Sequence, residues 1–427
     1  MGVKSLVNLE LNKTVAMIPK NSILSIHTTA ISNLLEQYKI KGSIGTVISL
    51  MYEKSIGIKS KWYGYIQSLP VEGVDLPVMW SLEDQSLFNG TSMEDILKRD
   101  KEQLECLYND NIRDLLIPKH SDIFSGESFS YREYLIATSL VSSRAFNVDS
   151  YHGDSMVPLA DIFNHRTLRE NVHIESNGDV CKKCGSFYTC AHRKLKKSNS
   201  DILHDDNDNS DDEEFSKLFG KSSENQENLF IKIVKSCKSQ TEVFNTYGDH
   251  DNTMLLSKYG FVEMDNPCDK IYLSRQEIDK IIMESIKDLS LLQQRLSFYS
   301  NLFDIDSRDD HHIDINGNVD DALVLSIGIC CLDADRFKQL STLPKSQLYK
   351  YFEKLQQDDI LSQSPLTKDI ILKILKQRDH SSSTTLEEMQ TQITNLQPQK
   401  SKLHQYQSLQ FKFIEKRILN KSIDIYR

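Results

Sequence analysis

No apolar run in this sequence of 427 residues approaches the roughly 18 residues that a membrane-spanning helix needs. The start carries no basic segment followed by an apolar one, so the pattern of a secretory signal is also missing. The sequence shows no repeat at solenoid periods, and its 26% charged and 39% hydrophobic residues fit no low-complexity class. We therefore expect a globular protein of two or three domains, in the cytoplasm, the nucleus or both, with no membrane partner.

The sequence also has no excess of positive charge. The chain has 51 lysines and arginines against 61 aspartates and glutamates, a formal net charge of −10. Such a balance disfavours a general nucleic-acid binder and suits a basic protein or peptide partner, such as a lysine-rich ribosomal protein. The alternative is that the charge only aids solubility. We expect no direct contact with nucleic acid, and we expect a monomer.

The eight cysteines, in a chain without an export signal, argue against a disulfide framework and for reduced thiols or metal ligands. Four candidate ligands fall within twelve residues, in the pattern Cys-x2-Cys-x5-Cys-x-His: Cys181, Cys184, Cys190 and His192. The first pair has the spacing of a zinc knuckle, and the pattern predicts structural zinc. A reduced, cysteine-bearing loop is the alternative, because one Cys-x2-Cys pair is weaker evidence than two.

Several stretches have helical patterns. Apolar residues recur at three-and-four spacing from Thr46 to about Arg113, and a further helix is predicted over Asp95 to Leu116. Ser130 and Glu133 form a capping box, which predicts a helix ending at Arg144. The segments after Ser274 also show helical periodicity, beginning with another capping box at Ser274 and Glu277 and an apolar stripe from Ile278 to Leu296.

Strands are predicted mainly near the N-terminus and before the middle of the chain. Val3 to Leu9 and Val15 to Ile18 have the pattern of two strands joined by a turn at Asn12 and Lys13. A further strand is predicted over Val157 to Phe163, where it would present Asp161. Seven acidic residues among the ten from Asp205 to Glu214 predict a disordered segment instead.

Two segments carry a family resemblance. Ser142 to His165 reads SSRAFNVDSYHGDSMVPLADIFNH, and Phe244 to Phe261 reads FNTYGDHDNTMLLSKYGF. Their Asp-x-x-Asn-His and Tyr-Gly-Phe steps resemble the two signature segments of SET-domain protein lysine methyltransferases. The flanking segments resemble the helical insert of the Rubisco large-subunit methyltransferase group, to which fungal ribosomal-protein lysine methyltransferases belong; these segments are Leu50 to Pro70, Leu76 to Ser81 and Leu87 to Thr91.

The resemblance implies an α+β fold: a SET-domain β fold with a knot-like C-terminal threading, a helical insert and an all-α C-terminal domain. It covers residues 1 to 275 well and the helical remainder by position and pattern. Four parts are expected: 1–45, the N-terminal part of the SET domain; 46–118, the insert; 119–272, the C-terminal part of the SET domain with the Cys/His loop and an acidic insertion over 180–228; and 273–427, which resembles the substrate-binding domain of the Rubisco group.

The N-terminus departs from the family pattern. SET domains of this group begin with a Gly-x-Gly turn that contacts the methionine end of the cofactor, and this sequence starts inside that turn, at Gly2. We expect either that the native start lies upstream or that the cofactor site lacks one wall.

The resemblance also implies an activity and a set of site residues. The activity is transfer of a methyl group from S-adenosylmethionine to a lysine of a basic protein, with a ribosomal protein as the expected substrate. Tyr259 matches the catalytic tyrosine of the lysine channel, and Asp161 and the backbone of Ser143 match positions near the incoming lysine. The residues that match cofactor-binding positions, or could stack on the adenine, are Arg144, Asn164, His165, Tyr259, Phe261 and Tyr272.

Two other functions remain open at this point. A non-catalytic SET-fold module could hold a basic protein in the same cleft, and the incomplete Gly-x-Gly turn favours that reading. The joint presence of Tyr259, Asn164, His165 and Arg144 argues against it, because a binding module has no chemical need for the set. Within the enzyme class, the motifs are equally compatible with methylation of a histone or of a translation elongation factor.

Overall fold

The computed structural model describes residues 2–176, 180–186, 190–192, 227–286, 289–303, 311–357, 364–379, 384–396 and 400–427. The acidic segment from Asp205 to Glu214, predicted to be disordered, lies outside these residues. The strands are β1 (Val3–Lys4), β2 (Thr14–Pro19), β3 (Ala145–Asn147), β4 (Asp154–Met156), β5 (Val172–Ser176), β6 (Asn228–Ile233), β7 (Glu242–Val243), β8 (Lys270–Leu273) and β9 (His311–Asp314).

Helices make up most of the remaining described residues. The α-helices are α1 (Ser32–Gln37), α2 (Gly42–Ser55), α3 (Tyr63–Ser68), α4 (Leu82–Ser86), α5 (Ser92–Tyr108), α6 (Ile117–Lys119), α7 (Tyr131–Arg144), α8 (Asn252–Tyr259), α9 (Arg275–Ser285), α10 (Leu289–Phe303), α11 (Asp321–Cys330), α12 (Ala334–Ser341), α13 (Lys345–Gln357), α14 (Pro365–Asp379), α15 (Leu386–Leu396) and α16 (Leu403–Tyr426). A π-helix, Asn109–Leu116, connects α5 to α6. None of the helices in the described ranges is long and apolar enough to cross a membrane.

The described residues form two compact units. The first unit comprises Met1–Met79, Lys101–Asp249 and Lys258–Gly260, and the second comprises Trp80–Asp100, His250–Ser257 and Phe261–Arg427. The second unit thus includes Trp80–Asp100, which lies in the predicted insert. The four-part division expected from the sequence remains a prediction.

Short antiparallel sheets shape the first unit. Strand β6 pairs with β2 on one side and β5 on the other, β1 pairs with β7, and β3 pairs with β4. The apolar side chains of β5 and β6 form one core with Val157 and Phe163, and a second core forms between α2 and α7. The predicted apolar face of α2 is part of that second core, with Val47, Leu50 and Met51 all buried.

The helix that ends at Arg144 follows its predicted signal, whereas the proline after the preceding helical run does not end that run. The Ser130 hydroxyl accepts a hydrogen bond from the Glu133 N–H, and α7 runs from Tyr131 to Arg144, as predicted. Pro118 does not end the preceding helical run: it lies at the start of α6, and the run ends one residue later at Lys119. A proline is tolerated in a first turn, where its missing N–H is not needed.

The strand predicted over Val157 to Phe163 is wrong. The Ala160 N–H donates to the Val157 carbonyl oxygen at 3.2 Å, which makes these residues a turn, and a 3-10 helix follows at Ala160–Ile162. Pro158 explains the difference, because a proline in second position favours a turn over a strand. Asp161 therefore projects from a short helical turn.

The second unit is mainly helical, with one antiparallel pair of strands, β8 and β9. The apolar stripe predicted after Ser274 belongs to two helices, α9 and α10, and Ile278, Ile282 and Leu292 are buried. Helix α9 begins at Arg275 as expected, although the Ser274 side chain makes no capping hydrogen bond. The predicted helical C-terminal region is therefore present, with a β pair inside it.

Asn252, at the start of α8, binds two distant segments of the second unit. Its side-chain amide donates to the Glu263 carbonyl oxygen at 2.8 Å and to Asp269 Oδ2 at 2.6 Å, and its carbonyl oxygen accepts from the Glu263 N–H at 2.7 Å. Asn252 is 1% exposed, and burial raises the pKa of Asp269 to about 6. Asn252 therefore holds the start of the helix that ends at Tyr259.

We predict that Asn252→Ala lowers the free energy of unfolding by about 2–4 kcal/mol, because three hydrogen bonds are lost and buried polar groups are left unpaired. Asn252→Asp places a second carboxylate beside Asp269 and raises the pKa of Asp269 further. Its deficit should therefore grow as the pH rises through about 6. Urea unfolding at pH 5.5 and pH 8 measures the loss of unfolding free energy in both variants, and the exposed Asn301→Ala is the control. An equal loss for Asn252→Asp at the two pH values would contradict the proposed coupling between residue 252 and Asp269.

Candidate active site

A pocket of about 140 Å³ lies in the first unit. Four of the residues predicted for the site line it: Ser143, Arg144, Asp161 and Tyr259. The other lining residues are Ala145, Phe146, Asn147, Thr246 and Tyr247. The pocket thus combines the two signature segments, which are about eighty residues apart in the sequence.

The end of α7 supplies one wall. Arg144 is its last residue, and strand β3 continues directly along the pocket. The Ser143 hydroxyl donates to the Ser139 carbonyl oxygen at 2.7 Å, so Ser143 presents its backbone to the pocket and its hydroxyl is already used within the helix. This geometry fits the backbone role predicted for Ser143.

The end of α8 supplies another lining residue of the pocket, Tyr259. The helix stops there because Gly260 adopts φ +74°, and a Cβ at that position would lie 3.0 Å from the Asp75 carbonyl oxygen. The Ser142 hydroxyl donates to the Lys258 carbonyl oxygen at 3.1 Å, which ties the end of α7 to the end of α8. Tyr259 is therefore held by both helix ends.

Asp161 is the centre of a buried polar cluster. Its Oδ2 accepts a hydrogen bond from the Tyr65 hydroxyl at 2.8 Å, and Arg144 Nη1 donates to the same oxygen at 3.3 Å and to the Asp161 carbonyl oxygen at 3.1 Å. Burial raises the pKa of Asp161, while the hydrogen bond from Tyr65 and the charge of Arg144 oppose that rise. Within the described residues, Asp161 Oδ1 and Arg144 Nε are buried without a hydrogen-bond partner.

These two orphaned atoms leave the cluster able to accept one further hydrogen bond and donate another. Buried polar groups in native proteins normally have a hydrogen-bond partner. A buried group without one therefore indicates that a partner, such as a ligand or a water molecule, binds there. An acceptor on Asp161 suits an amine N–H, and a donor on Arg144 suits a carboxylate or ether oxygen. Both chemistries are present in a lysine substrate and an amino-acid-bearing cofactor.

Three aromatic rings form a continuous stack beside this cluster. The rings of His165 and Tyr247 are 5.0 Å apart, and those of Tyr247 and Tyr259 are 4.7 Å apart, all nearly parallel. His165 Nδ1 accepts the Tyr247 backbone N–H at 2.9 Å, which leaves the proton of the neutral ring on Nε2, 2.8 Å from the Thr167 hydroxyl. Burial raises the pKa of Tyr259 and raises that of Tyr247 to about 12, so both hydroxyls stay protonated at neutral pH.

Asn164 lies at the end of the same segment. Its side-chain amide donates to Glu242 Oε1 at 2.6 Å, and a Cβ at Gly2 would be 2.7 Å from Asn164 Nδ2. The structure therefore brings Gly2, the residue matched to the Gly-x-Gly turn, against the Asn-His step. Asn164 and His165 are not among the pocket-lining residues.

Phe261 and Tyr272, predicted to stack on an adenine, belong to the second unit. The Tyr272 hydroxyl donates to Asp251 Oδ2 at 2.8 Å, and its backbone N–H donates to the Ser92 hydroxyl at 3.0 Å. Their part in cofactor binding remains a prediction.

Sequence reasoning missed Tyr65 and did not include Tyr247 among the site residues. The helical spacing around Tyr65 indicates a core-facing residue, and the pattern contains no information about the partner of its hydroxyl. Tyr247 lies within the second signature segment, so its position was a signal, but its place between the rings of His165 and Tyr259 depends on the tertiary structure.

The Cys/His cluster is also assembled in the first unit. One ligand atom from each of Cys181, Cys184, Cys190 and His192 lies within 4.8 Å of the others. The Cys184 and Gly185 N–H groups both donate to the Cys181 carbonyl oxygen, at 3.2 Å and 2.8 Å, which forms the tight turn of a knuckle. The Lys183 backbone N–H and the neighbouring thiols lower the pKa of Cys181 to about 6, which favours the thiolate that a metal binds.

The knuckle contacts the loop between two strands of the site. A Cβ at Gly185 would lie 2.5 Å from the Tyr151 ring, and the Ser150 hydroxyl donates to the Val180 carbonyl oxygen at 3.4 Å. Tyr151 and Ser150 lie between β3 and β4, and β3 lines the pocket. The cluster therefore supports the hairpin that carries one pocket wall.

Several curated proteins that are similar in sequence are named as lysine methyltransferases. Ribosomal lysine N-methyltransferase 3 of Saccharomyces cerevisiae is 26% identical over 71% of this chain and 63% of its own length. The N-lysine methyltransferase SETD6 of Homo sapiens is 21% identical over 79% of this chain and 65% of its own length. The matches thus span less than two thirds of these relatives, and no family model matches the sequence.

Solved structures agree in fold over the full chain. The SET domain of LSMT bound to lysine and S-adenosylhomocysteine superposes with a TM-score of 0.70 at 17% identity, covering 100% of this chain and 84% of that one. Rubisco LSMT bound to S-adenosylmethionine gives a TM-score of 0.67 at 16% identity, with the same coverage. The predicted SET-domain fold with a helical C-terminal region is confirmed, and so is the resemblance to the Rubisco methyltransferase group; the knot-like threading remains a prediction.

We predict that the purified protein contains about one zinc per chain, since four ligands at this spacing suit tetrahedral zinc. Cys184→Ser should lose the metal and lower the melting temperature, because a structural site contributes folding energy directly. Metal analysis by mass spectrometry and thermal unfolding test this, with the exposed Cys106→Ser as the matched control. Less than about 0.2 zinc per chain, together with an unchanged melting temperature for Cys184→Ser, would leave the cluster as a reduced loop.

Proposed function

We propose that this chain, which has the SET-domain fold, is an S-adenosylmethionine-dependent protein-lysine N-methyltransferase, and that it methylates a lysine of a ribosomal protein. The observation that carries the proposal is the convergence of Tyr259, Arg144 and Asp161 on one pocket from two distant segments of the sequence. The names of the sequence relatives and the ligands of the structural neighbours support it.

The reaction requires a neutral lysine amine. An unperturbed lysine has a pKa of about 10.4, so the ammonium form dominates at neutral pH and carries no free electron pair. Burial in a pocket disfavours the charged form. Tyr247 and Tyr259 line part of the pocket with largely buried ring surface, and this part of the wall disfavours the charged form of the amine.

Asp161 orients the amine in this proposal. Its negative charge is offset by Arg144 and by the Tyr65 hydroxyl, so the cluster has little net charge with which to retain an ammonium ion. Its unpartnered Oδ1 accepts an N–H of the neutral amine and thereby turns the nitrogen lone pair in a fixed direction. Alignment of this kind can be worth several kcal/mol in an in-line displacement.

Tyr259 contributes a ring that is held in place and a neutral hydroxyl group. The ring is fixed by the stack on Tyr247 and by the end of α8, so the phenol has little freedom to move. Its pKa is raised by burial, and the hydroxyl therefore remains a neutral donor and acceptor. It can contact a polarised methyl group or the amine, each contact worth about 0.5–1 kcal/mol.

The cofactor, when bound, supplies an electrophilic methyl group on a sulfonium sulfur. Arg144, Asn164 and His165 are the residues we assign to its amino-acid and adenine portions, with Tyr259 beside the methyl group. Phe261 and Tyr272 are proposed to contribute to adenine binding. The hydrogen-bond donor left open at Arg144 Nε fits the carboxylate of such an amino-acid-bearing group.

A basic protein substrate suits the charge of the chain. The formal net charge of −10 attracts lysine-rich proteins and raises their rate of encounter at low salt. The yeast relative is named for ribosomal lysine methylation, which favours a ribosomal protein over a histone or an elongation factor.

We predict that Tyr259→Phe lowers kcat and kcat/KM together by about 10- to 100-fold, because the hydroxyl acts mainly in the transition state and each ~1.4 kcal/mol costs tenfold. Radiolabel transfer from S-adenosylmethionine to ribosomal proteins measures the rate, and calorimetry measures cofactor binding, which should change less than threefold. Tyr131→Phe, at the first residue of α7, is the control.

Two outcomes would count against this mechanism. Wild-type rates in Tyr259→Phe would remove the hydroxyl from the chemistry. No transfer by the wild type to ribosomal proteins, histones or elongation factors, with basic proteins still bound, would favour a non-catalytic binding module.

We predict that Tyr65→Phe moves the acidic limb of the kcat/KM profile to higher pH. The Tyr65 hydrogen bond lowers the pKa of Asp161, so its loss lets the carboxyl take up a proton at a higher pH. A protonated Asp161 no longer presents a carboxylate to the amine, and activity near pH 6 should fall more than activity near pH 9. The control is Tyr63→Phe in the same helix; parallel profiles for Tyr65→Phe and wild type would show that Asp161 does not titrate in the reaction.

A further inference from the structure

Leu159 has an unusual backbone conformation for its residue type. It lies in the turn Val157–Ala160, with φ 77° and ψ −39°, directly after Pro158. The third residue of a turn with proline in second position and positive φ is normally glycine, because a Cβ is strained there. A leucine at this position is therefore conformationally costly.

Leu159 is only partly buried within the chain. The residue keeps 50% of its surface exposed. An exposed leucine alone needs no explanation, but an exposed leucine in a strained conformation does, since strain of this kind tends to be kept where it serves a function.

Non-glycine residues with positive φ also occur next to the site segment. In the described parts of the chain, non-glycine residues with positive φ are Asn12, Lys39, Leu159, Leu168 and Gln240. The two apolar ones lie on either side of the segment that carries Asp161 and His165. Leu168 is 56% exposed, so both leucines present apolar surface to solvent next to the site segment.

Leu159 is also close to the pocket along the chain. Only Ala160 separates it from Asp161, which lines the pocket, and two residues span at most about 7 Å. A lysine side chain that enters the pocket therefore brings the neighbouring residues of its own chain within reach of Leu159.

We propose that Leu159 is a specificity-determining residue that contacts an apolar side chain within two residues of the target lysine. The inference rests on the proposed function, because it assumes that a lysine enters the pocket. Burial of the exposed leucine against an apolar side chain of the substrate favours such sequences over polar ones. The strained turn holds the leucine outward, where the core of the protein does not bury it.

The test uses peptides with one central lysine in which each of the two positions on either side is in turn Leu, Gln or Glu. Methyl transfer and fluorescence-anisotropy binding are measured for the full-length wild type, Leu159→Asn and Leu159→Met. Asparagine tolerates positive φ and removes the apolar surface, whereas methionine keeps that surface. Lys39→Asn, at another exposed positive-φ position, is the matched control.

We expect the wild type, Leu159→Met and Lys39→Asn to prefer Leu over Gln by about fivefold or more in at least one position, as one buried apolar group provides. Leu159→Asn should reduce the preference below about twofold through KM, with turnover of free lysine unchanged. A preference retained in Leu159→Asn, or an equal loss on free lysine, would overturn the proposal. If the wild type binds peptides but transfers no methyl group, the proposed function fails, and the anisotropy series still decides the role of Leu159.

Discussion

The candidate site depends on the hydrogen bonds that join the two signature segments. The Asn245 N–H donates to the Asn164 carbonyl oxygen at 2.8 Å, the Arg166 N–H donates to the Asn245 carbonyl oxygen at 3.0 Å, and the Tyr247 N–H donates to His165 Nδ1 at 2.9 Å. These bonds set the register between segments about eighty residues apart. With that register fixed, Tyr247 stacks on His165, and Tyr259 stacks on Tyr247.

Burial then gives the site its chemical character. A carboxylate, a guanidinium and a tyrosine hydroxyl lie together with limited access to water, and such a cluster is stable only when its members satisfy one another. Asp161 and Arg144 satisfy most of their hydrogen-bonding capacity in this way and retain one acceptor and one donor. A site of this kind needs few residues, but each must be placed within a fraction of an ångström.

Two peripheral features support the pocket walls. The Cys/His cluster contacts the loop between β3 and β4, and β3 is one wall. The short turn before Asp161 is strained at Leu159 and places that aspartate on a 3-10 helix. Neither feature takes part in the chemistry we propose, and both restrict how the pocket residues can move.

The sequence by itself determined the class of fold, the resemblance to SET-domain methyltransferases, the helix from Tyr131 to Arg144 and the four candidate metal ligands. These follow from local signals, namely a capping box, a ligand spacing and two motifs, that need no knowledge of distant contacts. It also named Tyr259, Asp161, Arg144 and Ser143, which the structure brings to one pocket. The strand predicted over Val157 to Phe163 was wrong because the prediction gave no weight to the turn preference of Pro158.

Only the tertiary structure decided which side chains are partners. Tyr65 has the same sequence pattern as any core residue of a helix, and its hydrogen bond to Asp161 exists because α3 packs within the same unit as the Asp161 turn. The ring stack and the outward, strained Leu159 are likewise invisible to periodicity, since they depend on the relative placement of segments far apart in the chain. Hydrogen bonding, stacking and burial are set by distances in space, and a single sequence specifies those distances only through the complete fold.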